Sequence, residues 1–165
     1  MLRFALAKRL TAHNLLYFQD FPVTGVAFQD LSLVLANPDL LKLLNFAMSY
    51  HINKKLGWTK DAQFVAGIDA RGFIYGSMVA SELNLGFLMI RKKGKLPGDK
   101  VVVNYDTEYS NADIEVMKET VNPGDKFIIM DDLQATGGSM RAAVEILTAA
   151  GAEIVGTYCV LEVVP

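Results

Sequence analysis

The 165-residue chain has a single cysteine, Cys159, and two histidines, His13 and His51. One cysteine excludes an internal disulfide and accords with a reducing compartment. Cys159 lies in an apolar run, which favours a buried, inert thiol over a nucleophile. So few soft ligands leave little material for a zinc site. No apolar run reaches the ~18–20 residues of a membrane span. Neither sign of charge dominates: the net charge is −2, with 21% charged residues. That balance argues against a nucleic-acid partner. Repeats, low-complexity tracts and an interdomain linker are also missing. What remains is a chain of single-domain length, 1–165, with 52% hydrophobic residues to build a core. The expected location is cytoplasmic.

Hydrophobic spacing predicts alternating strands and helices. Residues 1–14 are basic and acid-free, as in a transit peptide. Leu2, Leu6 and Leu10 nevertheless fall on one helix face, which predicts a surface helix packed on the domain. Asn37 and Pro38 read as an N-cap and first helical residue, followed by a helix through Leu40, Leu41, Leu44, Ala47, Met48 and Ile52. Short buried strands are expected over 64–68, 87–90, 127–130 and 154–161. A helix is expected over 72–83, with Phe73, Gly76, Ala80 and Leu83 on one face. Residues 101–109 read as an exposed strand or mobile hairpin, with a partner strand over 114–117. Another helix follows the 127–130 strand, lined by Met140, Ala143, Val144 and Leu147, with Gly151 at its end. Apolar strands alternating with helices imply a parallel α/β sheet, which binds ligands at the carboxyl ends of its strands. The strand ends at Ile68, Ile90 and Met130 lead into Asp69-Ala70-Arg71-Gly72, Arg91-Lys92-Lys93 and Asp131-Asp132.

The last of these carries the most chemistry. Four apolar residues, 127–130, run into Asp131 and Asp132, then into Leu133-Gln134-Ala135-Thr136-Gly137-Gly138-Ser139. A small-residue turn before a helix aims several backbone N–H groups at one point beside the positive helix end, a setting for phosphate. Two carboxylates just ahead of it suit the hydroxyls of a sugar diol. Phosphate and diol side by side describe a ribose 5-phosphate.

Three further segments add to this. Ala70, Arg71 and Gly72 stand between a strand and a helix, where backbone and guanidinium can hold an anion. Arg91, Lys92, Lys93 and Lys95 put four cations in five residues, and such a cluster repels itself unless an anion visits. The Gly94-Lys95-Leu96-Pro97-Gly98 end offers a hinge for a lid. Finally, the turn-rich stretch from Asp20 to Asp30 includes Phe28, on which a flat heteroaromatic base could stack.

Together these motifs, which span residues 20–160, resemble the adenine branch of the type I phosphoribosyltransferases. The acid pair with its Ala-Thr-Gly-Gly-Ser turn is similar to the binding signature for 5-phosphoribosyl-1-pyrophosphate (PRPP). The Asp20-Phe21-Pro22, Gly25-Val26-Ala27-Phe28-Gln29-Asp30, Asp69-Ala70-Arg71-Gly72-Phe73 and Arg91-to-Gly98 segments are more selective for that branch. The resemblance implies a mostly parallel, twisted central sheet flanked by helices. A small N-terminal base-binding hood (1–35) and a mobile loop would accompany the PRPP-binding core (36–165). It implies Mg2+-dependent conversion of adenine and PRPP to AMP and pyrophosphate, by a homodimer. Asp131 and Asp132 would hold the ribose. Ala135, Thr136, Gly137, Gly138 and Ser139 would hold the 5-phosphate. Ala70, Arg71, Arg91 and Lys95 would meet pyrophosphate, with Arg91 and Lys95 alternatively meeting the dimer partner. Val26, Ala27, Phe28 and Arg71 would frame adenine. Glu108 would be the acid/base on the mobile loop. Magnesium would be held mainly by PRPP, with no dedicated protein ligand.

Three departures from the family pattern stand out. Ser110 replaces the usual glycine, and Ser139 replaces a threonine but keeps the hydroxyl. The chain ends at Pro165, where the family usually continues, so the C-terminal end reads as shortened. Two alternatives remain open: a phosphoribosyltransferase for another base, or a regulator that binds PRPP without chemistry.

Overall fold

The computed structural model describes residues 2–21, 24–106 and 111–162. Glu108 and Ser110 lie outside them. The chain forms two compact units, residues 1–55 and 56–165.

The first unit begins with helix α1, Leu2–His13. Its buried positions are Ala7 and Thr11, while Leu6 is exposed. Of the expected leucine face, Leu10 is half-buried and Leu6 points to solvent, while Ala7 and Thr11 are the residues covered. Strands β1 (Leu16–Gln19) and β2 (Ala27–Asp30) form an antiparallel hairpin that pairs Phe18 with Phe28. The Asp20 carboxylate accepts the Gly25 N–H at 2.7 Å and closes the turn. Short helix α2 (Ser32–Ala36) leads into α3 (Pro38–Tyr50), which continues as a π-helical turn over His51–Leu56. Asn37 caps α3 as expected: its side chain accepts from Asp39 N and Leu40 N at 3.0 and 3.1 Å. Such a cap contributes about 1 kcal/mol.

The second unit is a six-stranded sheet. Its strands are β3 (Phe64–Ile68), β4 (Gly86–Lys92), β5 (Lys100–Asp106), β6 (Asn111–Met117), β7 (Lys126–Gln134) and β8 (Glu153–Glu162), in the order β5-β6-β4-β3-β7-β8. β4, β3, β7 and β8 run parallel; β6 is antiparallel to β4 and to β5. Helix α4 (Arg71–Leu83) joins β3 to β4, and α5 (Gly138–Ala149) joins β7 to β8. The two crossovers leave the centre of the sheet in opposite directions. With right-handed connections they cover opposite faces, so the chain reverses direction between β3 and β7.

Side chains follow the period of two. Ala66, Ile68, Leu88, Ile90, Phe127 and Ile129 join Met140, Ala143, Ile146 and Leu147 of α5 in the main core. Val65 and Phe87 lie on the alternate face and border Gly76 of α4. Of the expected face of α4, Gly76 and Ala80 are buried and Phe73 and Leu83 partly so; Gly72, Tyr75 and Val79 complete the buried stripe. Glycine at 72 and 76 lets the helix lie almost on the strands, which turns the larger residues beside them inward.

Candidate active site

The crevice between β3 and β7 is where an α/β sheet of this topology binds ligands. In register, Ile68 pairs with Ile90 and Gly67 with Met130, so three strand ends lie level. β4 and β7 run beyond the expected ends. Arg91 pairs with Glu115 of β6, and Asp131 pairs with Cys159 of β8. Both acids of the Asp131–Asp132 pair are thus strand residues. The ladder fixes their backbone, and a site built on strands is held more tightly than one on a loop.

α4 reaches this crevice because it has no side chain at its second residue. A Cβ on Gly72 would stand 2.6 Å from the Met130 carbonyl oxygen and 3.2 Å from Asp131 Oδ1. That approach brings Arg71 Nε to 2.5 Å from Asp132 Oδ2. Asp132 is 6% exposed. Its neighbour Asp131 is pushed up to about 7, by burial first and then by the Asp132 charge; its bond from the Asp132 N–H and the Arg71 charge act the other way. Beside them, Asp69 Oδ2 accepts from Arg91 Nε at 3.3 Å, and the Arg91 guanidinium lies 5.7 Å from the Phe73 ring centre. The Asp69–Ala70 peptide is cis.

Two helices begin here without a cap. Neither Ala70, before α4, nor Gly137, before α5, makes a side-chain capping bond, and neither helix has an acid in its first turn. α3, with its Asn37 cap and Asp39, is the opposite case. The orphan N–H groups at α4 and α5 leave two positive helix ends open to anions. Gly137 has φ +81, a left-handed turn that glycine takes without strain. Ala135 and Thr136 are exposed, and Gly137, Gly138 and Ser139 partly so.

The structure thus brings Ala70, Arg71, Arg91, Asp131 and Asp132 to one end of the sheet. Val26, Ala27 and Phe28 belong to the first unit, where Phe21 meets the Phe28 ring edge-on at 5.1 Å. Glu108 falls outside the described residues. The basic segment is more committed than its sequence suggests. Arg91 is paired with Asp69, and Lys93 Nζ with Asp113 at 2.6 Å. Exposed Lys92 and Lys95 have no ion pair among the described residues. The reading from sequence placed Asp69 at a strand end without a role, and missed Asp113 and Glu115. The alternation Asp113-Ile114-Glu115-Val116, two acids on one strand face opposite a basic turn, was the available signal. No three potential metal ligands from histidine, cysteine and acid side chains gather among the described residues.

A family profile described as a phosphoribosyl transferase domain matches residues 31–163. The chain belongs to the phosphoribosyltransferase family. Its sheet and crevice are those of the type I fold. An adenine phosphoribosyltransferase from Dipodillus campestris is 42% identical over 154 residues, covering 93% of this chain and 84% of its own. The crystal structure of the Saccharomyces cerevisiae enzyme, complexed with an imino-altritol bisphosphate and adenine, is 32% identical. It superposes with a TM-score of 0.91 over 96% of this chain and 90% of its own. The Giardia lamblia enzyme complexed with 9-deazaadenine is 31% identical, with a TM-score of 0.81 over 98% of each chain.

Proposed function

We propose that this protein transfers the 5-phosphoribosyl group of PRPP to adenine, forming AMP and releasing pyrophosphate. The observation that carries the reading is the Asp131–Asp132 pair set at the β3/β7 crevice beside two uncapped helix ends. The adenine and 9-deazaadenine complexes of its relatives support the choice of base.

The acid pair takes the ribose hydroxyls, whose O–H groups donate to the carboxylates. The 135–139 turn and the α5 N-terminus take the 5-phosphate. The α4 N-terminus, Ala70 and Arg71 take pyrophosphate, with Arg91 and Lys95 flanking it. The resemblance assigns base contacts to Val26, Ala27 and Phe28 in the first unit and to the Arg71 backbone in the second. Adenine N9 forms the new bond to C1 as the C1–O bond to pyrophosphate breaks, and the bonding pair leaves with pyrophosphate. Positive charge grows on the ribose ring in between. The protein contributes positioning and charge stabilisation. Glu108 manages the proton of the purine ring, a contribution of ~10²–10⁴-fold from one general acid/base.

Asp131 and Asp132 serve the ribose hydroxyls and Asp132 already engages Arg71, so no dedicated protein ligand for magnesium is proposed. Magnesium, carried mainly by PRPP, would neutralise charge on the leaving pyrophosphate. We further infer one phosphoribosyltransferase domain whose N-terminal part is the base hood, a homodimer, and a cytoplasmic location. No helix of the described residues is long and apolar enough to cross a membrane.

The test is product formation from PRPP with adenine, guanine, hypoxanthine and orotate, with and without magnesium. Magnesium-dependent AMP from adenine alone is expected. PRPP binding without turnover of any base would overturn the reading in favour of a regulator.

A further inference from the structure

Glu115 lies in β6 with 1% of its surface exposed, and the reaction above gives it no task. A buried carboxylate is costly unless it is fully satisfied. Its partners are unusual. Oε1 accepts the backbone N–H groups of Lys95 at 2.7 Å and Leu96 at 2.6 Å. Burial pushes Glu115 upward, but the backbone N–H groups of Gly94, Leu96 and Lys95 and the Lys100 charge hold it below the ordinary glutamate range. Lys100 Nζ stands 3.8 Å from Oε2 and donates to the Leu96 carbonyl at 2.9 Å. Two residues earlier on the same face, Asp113 accepts from Lys93 Nζ, and its carbonyl accepts the Lys93 N–H at 3.0 Å.

The turn is therefore wrapped around the protein's own carboxylate, as a backbone nest wraps an anion. Two consequences follow. The turn's N–H groups are spent internally, so it can offer a ligand only its side chains. And its backbone is pinned, although Gly94, at φ +82, would otherwise serve as a hinge. Lys93 is pinned with it, while the Lys95 ammonium has no ion pair among the described residues.

We propose that Glu115 is a positioning residue for PRPP: by binding the Gly94–Leu96 backbone, it fixes the Lys95 ammonium at the pyrophosphate end of the site. This rests on the reading of Lys95 as a pyrophosphate contact. The basic turn is then a fixed platform, and substrate meets a cation already in place, with little ordering left to do.

The test is a double-mutant cycle of Glu115→Gln and Lys95→Met, read as kcat and as apparent KM for PRPP and for adenine. Each single change is expected to raise the PRPP KM by roughly five- to tenfold, as for loss of a charged hydrogen bond, with the adenine KM little altered. In the double variant the Glu115→Gln effect should vanish, because Glu115 acts through Lys95. A merely structural glutamate would instead give additive losses, and that result overturns the proposal. If Lys95→Met leaves the PRPP KM unchanged, the reading of Lys95 itself fails and the inference falls with it. If only Glu115→Gln is silent, the pyrophosphate contact survives and the positioning role does not. Should Glu115→Gln fail to fold, amide hydrogen exchange on the unaltered protein decides: protected Lys95 and Leu96 amides support the platform, and exchange at open-loop rates overturns it.

Discussion

Arg71 at the start of α4 and Asp132 in β7 are joined across the sheet crevice, Nε to Oδ2, at 2.5 Å. The carboxylate is buried and the Arg71 side chain half exposed. A planar fork can bridge a carboxylate and a phosphate at once, which a lysine ammonium does poorly. Arg71→Lys should therefore lower kcat/KM for PRPP about tenfold, and Arg71→Met should lower it further. The Arg71 charge also restrains Asp131. Arg71→Met should move the acidic limb of the PRPP KM profile to higher pH. Steady-state kinetics from pH 5.5 to 8.5, roughly the range over which a carboxylate raised this far titrates, would check both. A profile that keeps its position would mean that Arg71 does not act on the acid pair.

Asp131 makes stability and substrate binding pull in opposite directions. Its carboxyl is raised from 3.8 to about 7 by burial and by the Asp132 charge. Between those values the folded protein holds a proton that the unfolded chain has lost. Stability from this group is thus full below the unfolded value and is lost as pH rises through the folded one. The loss amounts to a few kcal/mol, at about 1.4 kcal/mol for each pH unit separating the two values. Asp131→Asn should raise Tm at pH 8 while leaving it nearly unchanged near pH 4. It should also weaken PRPP, because an amide is in part a donor where the ribose needs an acceptor. In the unaltered protein the apparent KM for PRPP should fall between pH 6 and 8. Calorimetry of the two proteins at both pH values decides the stability half, and equal Tm differences would refute it.

Gly72 permits the approach that creates the site. A methyl group there would press on the Met130 carbonyl and the Asp131 carboxylate. Gly72→Ala should cost about 1–3 kcal/mol through overpacking, a Tm loss of about 3–10 °C. At a temperature where the variant is folded, PRPP affinity should fall more than adenine affinity, since the displaced helix carries Arg71. Equal losses for both substrates would mean general damage.

Glu108 can be tested directly by kinetics. Glu108→Gln should lower kcat by ~10²-fold or more while leaving PRPP affinity nearly intact. Loss of PRPP binding instead would give Glu108 a structural role.

Much of the fold and part of the site could be read along the chain. The period-2 and period-3.6 patterns located the elements of the central sheet, and the Asn37-Pro38 cap marked the start of α3 to the residue, because these signals are local. The Asp131-Asp132 turn pointed to a sugar phosphate for the same reason: a strand end, two acids and a glycine turn specify their own geometry. Other features depended on distant partners. On α1, Ala7 and Thr11 are covered while Leu6 is exposed, and the stripe on α4 is set by Gly72 and Gly76, where the strands approach the helix backbone closely. Four adjacent cations looked alike in sequence. Only the tertiary structure separated them, pairing Arg91 with Asp69 and Lys93 with Asp113 while Lys95 rides on a backbone bound by Glu115. Local chemistry determined which groups could hold a ribose phosphate. Which charges were left over to hold it was decided by side-chain contacts between residues some twenty positions apart.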